Sequence, residues 1–149
     1  MFLTLTAICV IVPTVFVVIW IKRRRDRHEL ELNSITPEAL HSLLSSNQEV
    51  LLFDVRQPLD LLGDSEIIPG ATRIAPKDLL ANPLLIPKEK DSVVYCTCPD
   101  DKTSRLILHR AQAMHFLRIK FLTGGLAGWK ARGYPVERYE KSFHLDTRT

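Results

Sequence analysis

Cysteine is scarce in this chain of 149 residues, which has three: Cys9, Cys96 and Cys98. Small secreted domains without a large core are held together by several disulfides, and three irregularly spaced cysteines cannot supply such a framework. We therefore predict a protein of a reducing compartment. Internal repeats and low-complexity segments are also absent, and hydrophobic residues make up 46% of the chain, which excludes a disordered protein.

Excess charge is small as well. The net charge is +3, and the run KRRRDR at 22–27 holds five basic residues and one acidic residue. The rest of the chain is therefore slightly acidic, whereas a nucleic-acid-binding protein needs basic residues spread over a docking face. The sequence predicts no nucleic-acid partner.

One long apolar run is present, because residues 2–21 contain no charged side chain. A helix of about 20 residues spans roughly 30 Å, the thickness of the hydrocarbon core of a bilayer. The basic cluster follows this run, which favours a retained anchor over a cleaved signal peptide and places the following residues in the cytoplasm. We predict a transmembrane helix at 1–21 with its N-terminus outside, and a basic connector at 22–33.

Strand and helix patterns alternate from Ser34 onward. Thr36, Pro37 and Glu38 are typical of a helix start, and 50–55 and 92–96 are short apolar runs typical of buried parallel strands. Further strands are predicted near 72–74 and at 119–122, further helices at 77–85, 104–117 and 126–132, and loops between 58 and 71. The order predicts an α/β fold, with a central, mainly parallel sheet flanked by helices and preceded by one transmembrane helix.

The segment from Cys96 to Ser104 joins a predicted strand to a predicted helix. Sites in open parallel sheets lie at the carboxyl ends of the strands, and loop N–H groups beside a helix N-terminus lower the pKa of a thiol. The loop therefore predicts a cysteine nucleophile. The predicted substrate contacts in it are Asp100, Asp101, Lys102, Thr103 and Ser104.

Two other uses of these cysteines fit poorly. Two thiolates separated by one residue supply half of a tetrahedral metal site, so no metal is predicted. A Cys-x5-Arg phosphatase needs an arginine six positions after its cysteine, where Cys96 has Lys102 and Cys98 has Ser104.

Four segments resemble the rhodanese family of sulfurtransferases. They are LLFDVRQP at 51–58, IPGA at 68–71, VVYC at 93–96 and TGGLAGW at 123–129. The resemblance covers about residues 34–139 and leaves 140–149 as a C-terminal tail. It implies one rhodanese-like domain, without a cofactor, in which a loop cysteine takes sulfane sulfur from a donor as a persulfide and passes it to a thiol or protein acceptor. The alternative is a catalytically silent module that recruits a partner to the membrane.

Two cysteines compete for the nucleophile. The family pattern has tyrosine before the catalytic cysteine, which favours Cys96, whereas the usual six-residue loop counted back from a helix start at Ser104 begins at Cys98. Cys98 also lies nearer to the helix N-terminus, although Pro99 has no N–H to offer the sulfur. We predict Cys98 as the nucleophile with Cys96 as the alternative, and the two could also act together through a mixed disulfide.

Two further predictions concern the residues around the loop and the class of sulfur donor. Asp54 and Arg56 recur in the family near the active-site end of their strand, and we expect them to form a structural network. Asp100 and Asp101 would repel a dianionic donor, so a neutral or protein-bound persulfide donor is favoured over thiosulfate.

Overall fold

The computed structural model of the protein describes residues 2–97, 102–116 and 118–141. Side chains are not described for 2–10, Leu30, Lys102, Ser104 and Arg105. The chain forms two compact units, one ending at Leu32 and the other beginning at Asn33. Each is described separately below.

The first unit is one helix, α1 (Phe2–Leu32). The segment predicted as a basic connector at 22–33 is helical through Leu32. The sequence is consistent with this, because residues 22–32 contain no proline, glycine or β-branched residue to interrupt a helix. An ion pair of 3.5 Å between Arg25 and Glu29, one turn apart, adds to its stability.

Within the residues that the structure describes, no helix is both long enough and apolar enough to cross a membrane. The transmembrane helix predicted for residues 1–21 is not confirmed.

The second unit is built on a parallel sheet of five strands. They are β1 (Ser34–Ile35), β2 (Leu51–Asp54), β4 (Thr72–Arg73), β5 (Ser92–Tyr95) and β6 (Ile119–Leu122). Their order across the sheet is β1-β6-β5-β2-β4. All four residues of β5 are buried, as expected for a central strand covered on both faces. The predicted α/β fold with a central parallel sheet is confirmed.

Helices connect and cover these strands. They are α2 (Pro37–Ser45), α3 (Pro58–Gly63), α4 (Pro76–Ala81), α5 (Lys102–Ala113) and α6 (Gly125–Ala131), with a 3₁₀ turn at Pro83–Leu85. Thr36 caps α2 as predicted, since its hydroxyl accepts a hydrogen bond of 3.3 Å from the amide of Ala39. The core between sheet and helices includes Leu40, Ile68 and Trp129.

Helix α5 differs from its prediction at both ends. It begins at Lys102, two residues before the predicted start at Ser104, and ends at Ala113 rather than near residue 117. The C-terminal end has a physical cause, because His115 adopts a left-handed φ of 58°. A left-handed residue just after the last turn ends a helix.

Four short elements were missed by the sequence analysis. They are β1 in the parallel sheet, α3 within the section predicted as loop, and the antiparallel pair β3 (Glu66–Ile67) and β7 (Glu137–Arg138). Pro58 at the first position of α3 fixes a helical φ, but six residues are too few to show a helical repeat. Strands of two residues that pair across 70 positions leave no local pattern either.

Candidate functional site

The site lies where β5 ends. Tyr95 pairs in register with Asp54 of β2, so both strands bring their carboxyl ends to the same edge of the sheet. Cys96 comes next and is 3% exposed, and Thr97 after it is exposed. The predicted nucleophile Cys98 and the predicted contacts Asp100 and Asp101 lie outside the described residues.

Helix α6 covers Cys96 through a glycine turn. Gly124 and Gly125 have φ values of 75° and 55°, which a residue with a Cβ rarely adopts. The amide of Leu126 donates a hydrogen bond of 3.3 Å to the carbonyl oxygen of Cys96. A Cβ at position 125 would overlap that carbonyl oxygen. The two glycines therefore allow the start of α6 to close over the end of β5.

Asp54 and Arg56 form a buried ion pair beside this strand end. Their side chains are 0% and 2% exposed, and the guanidinium donates hydrogen bonds of 2.7 and 3.0 Å to Oδ2 of Asp54. It also donates bonds of 2.8 Å to the carbonyl oxygens of Asp64 and Glu66. Arg56 thus ties the end of β2 to the segment that follows α3.

The charge of Arg56 is secured by this pairing. Burial alone lowers the pKa of a guanidinium, but the hydrogen bond and the charge of Asp54 outweigh it and raise the pKa of Arg56. Arg56 therefore stays a cation, and the buried carboxylate of Asp54 keeps its partner.

Tyr95 connects this pair to a neighbouring turn. Its hydroxyl oxygen accepts a hydrogen bond of 3.2 Å from the amide of Ile68, in the IPGA segment. Burial, with the nearby Asp54 carboxylate, raises the pKa of Tyr95 well above its ordinary value. Tyr95 is therefore a neutral structural group. Because it directly precedes Cys96, its hydrogen bond and burial fix the chain in the core just before the loop.

An open cavity of about 460 Å³ lies next to Thr97. Its walls include Arg56, Asp60 and Asp64 on one side and Leu126 and Lys130 of α6 on the other. Cavities that bind small substrates have volumes of about 300–1,000 Å³. A substrate in this cavity would lie beside the base of the loop that begins at Thr97.

Lys130 bridges two carboxylates on the rim of the cavity. Its ammonium is 3.0 Å from Oδ2 of Asp64 and also pairs with the carboxylate of Glu66. The hydrogen bonds that Lys130 donates to the carboxylates of Glu66 and Asp64 raise the pKa of Lys130. Partial burial works against the charge of Asp64, but the hydrogen bonds from Lys130 and from the Glu66 amide lower the pKa of Asp64.

Three predicted contact residues fall in the first turn of α5. Thr103 is half-buried, and its hydroxyl accepts a hydrogen bond of 3.3 Å from the side-chain amide of Gln57. Lys102 and Ser104 are placed only by their backbone, within the helix. The Gln57 bond therefore joins the residue before α3 to the first turn of α5.

The observed start of α5 removes the support that loop length gave to Cys98 as the nucleophile. A six-residue loop counted back from a helix start at Lys102 begins at Cys96 and not at Cys98. The premise of the count from Ser104 was therefore wrong. Helix starts vary by one or two residues with the definition used, so this count does not separate two cysteines that are two residues apart.

The sequence analysis missed Asp60, Gln57 and Lys130 as residues of this site. A signal existed for Lys130, since it follows Leu126 by four positions in a predicted helix and so shares a helix face with it. Asp60 and Gln57 had no such signal because α3 was not predicted. Among the described residues, no group of three or more His, Cys, Asp or Glu side chains is arranged to hold a metal ion.

Comparisons with known proteins agree with this fold. A sulfurtransferase from Allochromatium vinosum is 29% identical over 111 residues, which cover 70% of this chain and 94% of that protein. The solved structure of a full-length protein from Lactobacillus plantarum matches with a TM-score of 0.65 at 22% identity, over 79% of this chain and 98% of that one. The rhodanese-like domain of an Anabaena protein matches with a TM-score of 0.60 at 23% identity, over 78% and 93%.

The family model described as "Rhodanese-like domain" matches residues 36–132, which is well over half of the chain. This range contains four of the five strands of the parallel sheet, the Asp54–Arg56 pair, the loop after Cys96 and helix α6. The chain therefore belongs to the rhodanese-like domain family.

Proposed function

We propose that this protein is a sulfurtransferase that carries sulfane sulfur as a persulfide on Cys98. The observation that supports this choice is the contrast between Cys96 and its neighbour. Cys96 is buried under the start of α6, whereas Thr97 is exposed and lines the open cavity. The chain thus leaves the core at Thr97, so a thiol one residue further along is the better candidate to meet a substrate.

The reaction has two displacements. In the first, the Cys98 thiolate attacks the outer sulfur of a donor persulfide, the donor S–S bond breaks, and the donor leaves as a thiolate. In the second, an acceptor thiolate attacks the outer sulfur on Cys98, and Cys98 leaves as a thiolate. Sulfur changes carrier with no net oxidation, so no redox cofactor is required.

The charges around the cavity favour a neutral or protein-bound persulfide donor over thiosulfate. The pair Asp54–Arg56 offers no net positive charge, and Lys130 is engaged by Asp64 and Glu66. Asp60 lies on the cavity wall, and the sequence adds Asp100 and Asp101 in the loop, of which Lys102 offsets one charge. A dianion would meet more negative than positive charge there.

Residues 2–21 are proposed as an anchor that holds the domain at the cytoplasmic face of a membrane. Support comes from the sequence, which has no charge over these residues and a basic cluster directly after them. The anchor supplies location, and the loop and its surroundings supply the chemistry.

Two single variants test the assignment of the nucleophile. We expect Cys98→Ser to abolish persulfide formation, because a hydroxyl stays protonated and is a poor nucleophile. We expect Cys96→Ser to form the persulfide and to be slower in releasing it, as for a thiol that resolves a mixed disulfide. The readout is the mass of the protein after exposure to a small-molecule persulfide donor, with thiol alkylation followed against pH.

The alternative outcomes are distinct. Persulfide on Cys98→Ser and none on Cys96→Ser would make Cys96 the nucleophile. No persulfide on the unchanged protein would favour the silent module that recruits a partner to the membrane.

A further inference from the structure

Two exposed leucines stand beside the site on helix α3. Leu59 is 73% exposed and Leu62 is 55% exposed, whereas Leu61 between them is fully buried. Leu61 and the N-terminal Pro58 fix the orientation of the helix. Because residues three positions apart lie on the same face of a helix, the two leucines form one outward apolar face.

Helix α3 is part of the rim of the site. Asp60, between the two leucines, lines the open cavity together with Thr97. Gln57, directly before the helix, donates its hydrogen bond to Thr103 at the start of α5. The leucines themselves do not line the cavity. A small thiol inside the cavity would therefore leave them in water, whereas a larger partner reaching into it would cover them.

The charge of this rim points to the kind of partner. The described rim carries the carboxylates of Asp60, Asp64 and Glu66, and Lys130 bridges the last two. Asp60 is exposed and is left to attract a cation from outside. An apolar face next to an acidic group is complementary to a segment that presents apolar and basic side chains.

We propose that the sulfur acceptor is a protein thiol on a segment with apolar and basic residues, which docks on Leu59, Leu62 and Asp60. This inference rests on the proposed function, because it names the class of acceptor for the same site. The face is small, so the complex is transient. A transient complex suits a carrier that must release its acceptor after each transfer.

The transfer step is balanced within this complex. The acceptor cysteine, as a thiolate, attacks the outer sulfur of the persulfide on the domain. The S–S bond of that persulfide breaks, the acceptor keeps the transferred sulfur, and the domain cysteine leaves as a thiolate. Docking on α3 holds the acceptor near the loop and raises the effective concentration of its thiol.

A binding experiment tests the docking face without sulfur chemistry. The full chain in nanodiscs of zwitterionic lipid is titrated into two labelled peptides of equal length, in which serine replaces the central cysteine. One peptide has leucine and lysine around the serine and the other has glutamate and glutamine. We expect the first to bind about tenfold more tightly, as for the burial of a few apolar side chains with one ion pair.

Three variants locate the binding. The double variant Leu59→Ser with Leu62→Ser should weaken binding of the basic peptide about tenfold, and Asp60→Asn about threefold. Leu84→Ser is the matched control, because Leu84 is 64% exposed but belongs to the 3₁₀ turn and does not line the cavity. Equal binding of the two peptides, or an equal loss with Leu84→Ser, would overturn the proposal.

A transfer experiment links the face to the reaction. With cysteine restored in the basic peptide, the ratio of its transfer rate to that of 2-mercaptoethanol should fall about tenfold in the double leucine variant. An unchanged ratio would overturn the docking role. If no persulfide forms while the peptide still binds through the leucines, the proposed function fails and the docking face stands.

A lipid surface is the competing occupant of the same face. Hydrogen exchange of the amides at 59–63 is measured in nanodiscs with and without anionic lipid in the absence of peptide, and again with the basic peptide added. Exchange that is unchanged by anionic lipid and slowed by the basic peptide is the expected result. Slowing by lipid alone would assign the face to the membrane and overturn the proposal.

Discussion

Gly125 lies so close to the carbonyl oxygen of Cys96 that no side chain fits between them. The adjacent amide of Leu126 bonds to the same oxygen. This contact fixes the main chain of Cys96 at the point where the strand ends and the loop begins. The position of the loop therefore depends on a residue almost thirty positions further along the chain.

Replacing Gly125 with alanine should disturb both stability and the site. The left-handed φ and the overlap with Cys96 together should lower the free energy of unfolding by about 2–4 kcal/mol. Gly70→Ala is the matched control, since Gly70 has a φ of 79° but nothing within 4 Å of an added Cβ. It should lose about 1 kcal/mol.

Urea unfolding measures both variants, and the rate of persulfide formation is measured on each. The rate should fall in Gly125→Ala under conditions in which the protein is still folded, and stay unchanged in Gly70→Ala. Equal effects of the two substitutions on stability would show that the overlap with Cys96 adds nothing to the strain of a positive φ.

Much of this architecture could be predicted from sequence, and the reason is visible in particular elements. The strand at Leu51–Asp54 is a buried apolar run, and α2 begins with a cap and a proline, so each carries a local signal. The glycine turn at 124–125 carries a local signal too, because adjacent glycines favour the positive φ that both residues adopt in the structure.

Elements that depend on distant contacts could not be predicted. Helix α3 is six residues long and is held by Leu61 and by the Gln57–Thr103 bond, 46 positions apart in sequence. The rim residues Asp60 and Lys130 meet only because α3 and α6 border the same cavity. The periodicity of the sequence does not indicate which distant helices line the same cavity.

The buried pair of Asp54 and Arg56 should be a sensitive point for stability. Arg56→Met removes the guanidinium that is hydrogen-bonded to the buried carboxylate of Asp54, and it leaves the carbonyl oxygens of Asp64 and Glu66 without the donor that they have in the folded protein. We expect the free energy of unfolding to fall by about 3–5 kcal/mol. Denaturant unfolding followed by circular dichroism measures the loss.

A surface pair supplies the control for this variant. Arg132 pairs with Glu38, and both side chains are exposed. Arg132→Met should lower the free energy of unfolding by at most about 1 kcal/mol. A loss in Arg56→Met as small as that in Arg132→Met would contradict the structural role of the buried pair.

Acid should lower the free energy of unfolding by protonating Asp64 on the rim of the cavity. The pKa of Asp64 is lowered in the folded protein, so its charge contributes stability above the unfolded pKa of about 3.9. That contribution is lost as the pH falls through the lower, folded pKa. Because the pair with Lys130 is partly exposed, we expect less than about 1 kcal/mol.

The measurement compares the unfolding free energy of the unchanged protein and of Asp64→Asn between about pH 6 and pH 3. The unchanged protein should lose its advantage over the variant toward the acid end. Lys130→Met removes the partner and should shrink the same advantage at pH 6. An advantage that grows as the pH falls would have the wrong sign and would contradict the shift of Asp64.

The proposed anchor makes a prediction about location that is separate from the chemistry. Basic residues that flank an apolar span are retained on the cytoplasmic side, and Lys22, Arg23, Arg24 and Arg25 directly follow residues 2–21. In spheroplasts, external protease should therefore leave residues 34–149 intact, and should digest them once the membrane is opened with detergent. Replacing the four basic residues with glutamine should weaken this orientation and expose a fraction of the domain.

Removal of residues 2–21 should move the protein to the soluble fraction and leave persulfide formation unchanged, because the loop and not the anchor stabilises the thiolate. Digestion of the domain in closed spheroplasts would overturn the cytoplasmic location, and a shortened chain that is folded but forms no persulfide would show that the N-terminal segment helps to build the site.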